Sequence, residues 1–381
     1  MVLLCHCHGL LLCCNDPTNQ NAVRTFALLH FHTLPNTLTS VPHTKSSMES
    51  QPSQERNEQP TKEVPHVLVM KPPPLLTLFE DKFISTKFQL LKAWESTLPL
   101  HQFLTTHAGS VRAVLCSGAS PITPHIIQLL PSLQLVVTAS AGINHIDLNE
   151  CRRLGIAVTN AAGVFSDDAA DAAVGLLIDV LRKISSADRF VRHGLWPATG
   201  DYPLGSKLGD KRVGIVGLGS IGSAVAKRLE AFGCTVLYNS RKPKPWAPYP
   251  FYSNVHELAV DSDALIVCCG LTAETRHMIN RQVMVALGKQ GIIVNVARGA
   301  IIDEKEMVEC LVHGEIGGAG LDVFENEPSV PKQLLELDNV VLSPHRAVFT
   351  PEGFMAACDL VVANLEAFFE DEPLLSPLID E

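Results

Sequence analysis

Residues 212–241, RVGIVGLGSIGSAVAKRLEAFGCTVLYNSR, constrain the fold more than any other stretch. The β-branched run 213–216 meets three glycines, Gly217, Gly219 and Gly222, spaced G-x-G-x-x-G. Ala224, Val225, Leu229 and Phe232 then recur at helical spacing, and Gly233 precedes a second apolar run at 235–238. Strand, glycine turn, helix and strand fit within the roughly 30 residues that a βαβ unit needs. A glycine turn of this kind lets the backbone approach a pyrophosphate, and the free N–H groups that open the helix favour its charge. Gly217, Leu218, Gly219, Ser220, Ile221 and Gly222 are therefore the expected pyrophosphate cradle of a dinucleotide.

The end of the second strand bears on which dinucleotide. An NAD site usually places Asp or Glu about 20 residues into the motif, on the ribose 2′-hydroxyl. Here Asn239 is followed by Ser240, Arg241, Lys242, Pro243 and Lys244, and the next acidic residue is Glu257. A hydroxyl beside several cations suits a 2′-phosphate, because guanidinium offers phosphate oxygens a planar fork. NADPH is the expected cofactor, with NAD second; the alternative is a basic surface turn that binds nothing.

With 381 residues, the chain suits two domains of ordinary size. Its 46% hydrophobic and 18% charged content supplies ample core material. A formal charge of −10 gives no footprint for nucleic acid and argues against attraction to anionic membranes. The eleven cysteines are scattered without paired metal-ligand spacing, and Cys116, Cys234, Cys268 and Cys269 lie in apolar runs, as reduced core thiols do. Cys5, Cys7, Cys13 and Cys14 with His6 and His8 suggest a metal only superficially, so no metal is expected.

Residues 1–65 read as a disordered leader, rich in Ser, Thr, Asn, Gln and Pro, with Met48 a candidate start. They have neither the basic n-region of a secretory signal nor the arginines of a transit peptide. No run of roughly 18 apolar residues occurs, so no membrane span is expected. The last residues lack a Ser-Lys-Leu ending, leaving the cytoplasm first and a plastid second as the expected compartment. A strand at 67–70 enters a Pro-rich turn at 72–74, and strands at 111–116, 135–138 and 156–159 each end in a small-residue turn: Ser117, Gly118 and Ala119, then Ala141 and Gly142, then residues 160–163. Ser166 is read as the cap of a long helix with Asp167 and Asp168 in its first turn. Further strands are expected at 264–268, 291–296, 318–323 and 340–342, and a final helix at 351–369 should pack back on the first domain. The result is an α/β chain with two parallel-sheet domains, a Rossmann dinucleotide-binding domain (166–345) inserted into a substrate domain (66–165 and 346–381).

Ligands of open α/β sheets bind beyond the carboxyl ends of the strands. Arg298, Glu327 and His345 each follow such a strand in the second half. Together they suit hydride transfer to a 2-oxo acid, which needs a cation for the carboxylate, an acid for the forming alkoxide and an anion to orient that acid. Singly, each has a plainer reading: Arg298 as a surface arginine, Glu327 as a loop charge and His345 as a strand-end histidine.

The motifs VGIVGLGSIG, IIVNVARG, GAGLDVFENEP and LSPH, in this order, resemble the D-isomer-specific 2-hydroxyacid dehydrogenase family. NSRKPK and the terminal LSPL are similar to the plant glyoxylate/hydroxypyruvate reductases, including the hydroxyphenylpyruvate reductase type. The resemblance spans all but the leader and implies a flavodoxin-like substrate domain. It also implies Arg298 for substrate, Glu327 as orienting carboxylate, His345 as proton donor, and Ser240 with Arg241 for the 2′-phosphate. Val296, Ala297 and Asp322 would line the nicotinamide, and the backbone of Ser117, Gly118, Ala119, Ala141 and Gly142 would hold the substrate carboxylate. A homodimer is implied too, with Trp196 either reaching the neighbour's active site or serving as an ordinary interface aromatic. Two positions depart from the family's pattern: Asn144 replaces the usual Asp, and Arg346 follows His345 where small or apolar residues are common. A dinucleotide-sensing corepressor is the rival reading. A methyltransferase would leave the strand-end residues unexplained, and a formate-oxidising enzyme would carry Gln in place of Glu327.

Overall fold

A computed structural model describes residues 64–161 and 163–378. The expectations for the leader, with its cysteines, histidines and Met48, lie outside the described residues except for its last two positions. The first sheet contains β1 (His66–Val69), β2 (Gln89–Lys92), β3 (Ala113–Cys116), β4 (Leu135–Thr138) and β5 (Ala157–Thr159). All its pairings are parallel, in the order β2-β1-β3-β4-β5, which is the flavodoxin-like winding. The residues of β3 and β4 are buried throughout, as they must be when helices cover both faces.

The second sheet contains β6 (Arg212–Val216), β7 (Thr235–Asn239), β8 (Phe251–Tyr252), β9 (Ala264–Val267), β10 (Ile292–Asn295), β11 (Gly318–Leu321) and β12 (Val340–Leu342). Its order is β12-β11-β10-β9-β6-β7-β8, also parallel throughout. The winding reverses between β6 and β9, so the crevice beyond their carboxyl ends is where a ligand of a Rossmann sheet sits. Both the glycine turn and the Cys268–Cys269 pair open onto that crevice. The two parallel-sheet lobes agree with the architecture read from the sequence.

Helix Ser166–Arg182 carries the chain from one sheet to the other. Ala170, Ala173, Val174, Leu177, Val180 and Leu181 bury one stripe of it in the core formed with Val213, Ile215, Ile292 and Val294. Its start corrects one expectation. Ser166 is the first helical residue, and Phe165 holds the N-cap position with no side-chain cap. Burial decides this, because Phe165 is 2% exposed and lies edge-on to Phe354. Asp168 instead accepts the Thr350 hydroxyl at 2.8 Å, and Asp167 pairs with Arg228.

The chain then returns. Thr350 caps helix Pro351–Phe369, whose Phe354, Ala357, Cys358, Val361 and Leu365 pack under the first sheet beside Val67, Leu115 and Val137. The tail beyond it lies along β5, where Leu378 N–H donates to the Val158 carbonyl at 2.8 Å, so that edge of the sheet is covered. Two short strands, β2 and β8, have no counterpart among the sequence expectations. Both are edge strands, only partly buried, and neither alternates apolar with polar residues.

Candidate active site

The three glycines of the turn have three different jobs. Gly217 takes φ +100°, and a Cβ there would lie 2.7 Å from the Cys269 backbone. At Gly222 a Cβ would overlap the Gly217 carbonyl oxygen, so this glycine lets helix Ser220–Ala231 press against the end of β6. At Gly219 a Cβ would meet nothing within 4 Å. The backbone is thus bare toward open space at the helix start, and no side chain caps it. An anion reaching that point meets backbone N–H groups and the positive end of a twelve-residue helix, so the residues present fit a dinucleotide pyrophosphate.

The expected cationic turn adjoins this cradle, because Gly217 N–H donates to the Asn239 carbonyl at 2.8 Å. Its shape is set by its own bonds. Ser240 Oγ donates to the Lys242 carbonyl at 2.6 Å, and Lys244 N–H donates to the buried Tyr238 hydroxyl at 2.8 Å. Arg241 and Lys242 are exposed, and Asn239 is committed to holding β8 through the Tyr252 carbonyl. No carboxylate occupies the end of β7.

Arg298 follows β10 in a turn organised by the buried Asn295 side chain. Asn295 Nδ2 donates to the Arg298 carbonyl, and its Oδ1 accepts from Ala297 N–H, both at 3.0 Å. Val296 and Ala297 are buried beneath it. The Arg298 guanidinium donates to the Ala297 carbonyl at 2.6 Å and lies so close to Gly142 that any Cβ there would overlap Nη2. The arginine therefore bridges from the second lobe to the turn after β4 in the first. Burial lowers its pKa while Glu327 opposes that shift. The neighbouring turn after β3 leaves Gly118 and Ala119 exposed and Ser117 buried, closed by Ser120 N–H on the Ser117 carbonyl.

His345 and Glu327 meet directly. His345 Nδ1 lies 2.7 Å from Glu327 Oε2, and Glu327 Oε1 accepts from Phe324 N–H at 3.0 Å. Gly299 makes this approach possible, since a Cβ on it would overlap the Phe324 carbonyl group. His345 has φ +55°, a left-handed conformation that costs a side-chain-bearing residue about 1–3 kcal/mol. Asp322 holds it there. The buried carboxylate accepts from Ser343 Oγ (2.5 Å), Arg346 N–H (2.7 Å) and Ala347 N–H (3.0 Å), while the Asp322 carbonyl accepts from His345 N–H at 2.7 Å. Hydrogen bonds to a charged group contribute about 1.5–3 kcal/mol each, so three of them outweigh the strain. The family resemblance implies a place for Asp322 beside the nicotinamide; in the structure both its oxygens shape the loop that presents His345. Arg346 stacks on Phe349, with its guanidinium 4.0 Å from the ring centroid.

Two residues of this cleft escape a reading of the sequence. His145 Nε2 sits 3.0 Å from Thr138 Oγ1 and 3.7 Å from Cys116 Sγ, at the ends of β4 and β3. Burial and the nearby Arg298 charge lower its pKa to about 4, and burial pushes the Cys116 thiol up to about 12. The imidazole is therefore neutral. Asn144, which the sequence marks only as a departure from a pattern, donates from Nδ2 to the Leu271 carbonyl of the other lobe at 2.9 Å. A histidine two residues before an Asp N-cap is the available signal for His145, but nothing in the sequence places it against Arg298.

Comparisons with known proteins point to one family. A sequence model of the NAD-binding domain of D-isomer-specific 2-hydroxyacid dehydrogenases matches residues 174–347. A glyoxylate/hydroxypyruvate reductase of Arabidopsis thaliana is 56% identical over 315 residues, 82% of this chain and 97% of that protein. A hydroxyphenylpyruvate reductase of Plectranthus scutellarioides is 46% identical over 314 residues, 82% of this chain and 98% of that protein. Among solved structures, an NADPH-dependent glyoxylate/hydroxypyruvate reductase of Sinorhizobium meliloti, in complex with NADP and malonate, superposes with a TM-score of 0.75. It is 36% identical, with 83% of this chain and 97% of that chain covered. None of these relatives supports the corepressor reading.

The neutral His145 has a consequence for acid stability. Unfolding returns its pKa from about 4 toward 6.5, so below 6.5 the unfolded chain takes up a proton that the folded one refuses. This contribution to stability is present above pH 6.5 and is lost as pH falls toward 4. Urea midpoints taken at about pH 7 and about pH 5 should fall more for the wild type than for His145→Gln. Equal falls would contradict the assignment.

Proposed function

The chain belongs to the D-isomer-specific 2-hydroxyacid dehydrogenase family, and we propose that it reduces a small 2-oxo acid to the D-2-hydroxy acid with NADPH. The substrate class is glyoxylate, hydroxypyruvate or hydroxyphenylpyruvate, which the names of its relatives share out among them. The observation that carries this reading is the 2.7 Å His345–Glu327 contact, with Glu327 in electrostatic reach of the half-buried Arg298.

Each group has a defined task. Arg298 grips the substrate carboxylate, assisted by backbone N–H groups of the turns at Ser117–Ala119 and Ala141–Gly142. Glu327 accepts the Nδ1 proton of His345, which fixes the ring and leaves Nε2 to hand its proton to the oxygen on the 2-carbon. Glu327 itself stays in place through Phe324 N–H. NADPH, when bound, supplies the hydride to the 2-carbon. The turn from Gly217 to Gly222 holds its pyrophosphate, Ser240, Arg241 and Lys242 its 2′-phosphate, and Val296, Ala297 and Asp322 border its nicotinamide.

The quaternary proposal is a homodimer. Ile184, Val191, Leu195, Trp196 and Leu204 are all more than 40% exposed and fall within one short stretch of chain. Such a concentration of apolar surface needs a cover, and a second copy provides it. Light scattering on the purified protein should give twice the chain mass, with Leu204→Asp shifting it toward the monomer; a monomeric wild type would contradict the proposal.

The activity is tested by NADPH oxidation with the three acids. Turnover is expected with at least one of them, and none with His345→Ala despite intact NADPH binding. A well-folded wild type that oxidises NADPH with none of the three would sink the reading. Arg241→Ala should raise the KM for NADPH by about tenfold or more and leave that for NADH nearly unchanged, as expected for loss of a charge-assisted phosphate contact. Equal effects on the two cofactors would contradict the 2′-phosphate assignment.

A further inference from the structure

The hydrogen bond from Asn144 Nδ2 to the Leu271 carbonyl joins two loops that serve different ligands. Asn144 lies two residues beyond Gly142, which packs against Arg298 in the substrate half of the cleft. Leu271 lies two residues beyond Cys269, whose backbone packs against Gly217 of the cofactor turn. Each loop is stiff on its own side. The Ile122 and Asp147 N–H groups donate to the His145 and Ile122 carbonyls respectively, and Thr138 Oγ1 accepts from Ser140 N–H and contacts His145 Nε2. Opposite, Thr275 Oγ1 donates to the Gly270 carbonyl and accepts from Thr272 N–H. A single bond between two stiff loops can therefore transmit the position of one to the other.

We propose that Asn144 is a positioning residue that couples the cofactor and substrate sites, its side-chain amide acting as a latch across the cleft. The chemistry of the acceptor makes the residue type decisive. A backbone carbonyl only accepts, so the partner must donate, and asparagine does so while aspartate at this position would face Leu271 oxygen with a second acceptor. By linkage, whatever the latch adds to substrate binding in the presence of cofactor it adds equally to cofactor binding in the presence of substrate. One net hydrogen bond corresponds to roughly a two- to tenfold effect.

This inference rests on the reductase reading, and its test separates the two. NADPH affinity is measured by fluorescence titration with and without saturating oxalate, a non-reducible carboxylate, and the ratio of the two dissociation constants is the coupling factor. In the wild type oxalate should tighten NADPH binding. Both Asn144→Asp and Asn144→Ala should lower the coupling factor about two- to tenfold and raise the KM for the 2-oxo acid more than they lower kcat. The residue is exposed, and unchanged thermal melting checks that the variants are folded. A wild-type coupling factor of one, or variants with an unchanged factor, would overturn the latch. Loss in Asn144→Asp with full retention in Asn144→Ala would trace the effect to charge and overturn it equally. A wild type that turns over none of the 2-oxo acids overturns the reductase reading instead.

Discussion

The cleft has its shape because two glycines make room, one for a guanidinium and one for a backbone carbonyl. Gly142 admits the Arg298 guanidinium from across the cleft, and Gly299, the next residue along from that arginine, admits the Phe324 carbonyl group. A methyl group at either position would collide. The first contact ties the substrate turn to the second lobe, and the second brings the segment carrying Glu327 alongside β10. A side chain at Gly142 would displace the guanidinium, whereas one at Gly299 would meet backbone and push the segment leading to Glu327 away from β10.

Around that cation the charges are arranged by solvation as much as by pairing. Asp322 is 1% exposed and satisfied by a hydroxyl and two backbone N–H groups, without a cationic side chain among those bonds. Such a carboxylate positions other groups, because moving the loop would strip a buried charge of its donors. Glu304 does the same for the neighbouring backbone: it is buried and accepts from Glu325 N–H, and its pKa is raised by burial. His145 shows the converse. Burial beside Arg298 keeps it uncharged, so it acts as a neutral hydrogen-bonding wedge under the substrate turn.

Much of this is legible in the sequence, and the rest is not for identifiable reasons. The glycine turn can be read because each of its constraints is local: a φ of +100° at Gly217 and a helix pressed on a strand at Gly222 need glycine whatever surrounds them. Arg298, Glu327 and His345 can be nominated because strand ends in a parallel sheet face the ligand, although their meeting depends on the order of β10, β11 and β12. Ser166 misleads, since a cap-like residue loses to the burial of Phe165 beside it. The roles of Asn144 and His145 depend on a hydrogen bond to Leu271 and on the charge of Arg298, residues too distant in sequence for any local pattern to encode.

The central claim is that this cleft moves a hydride to a 2-carbon while His345 supplies the proton. The most direct measurement uses NADPH deuterated at the transferable position of C4, with hydroxypyruvate as acceptor and chiral mass analysis of the product. The account predicts D-glycerate carrying one deuterium on C2, and none with His345→Ala protein that still binds NADPH. Product without deuterium on C2, or undiminished transfer by the His345 variant, would contradict it.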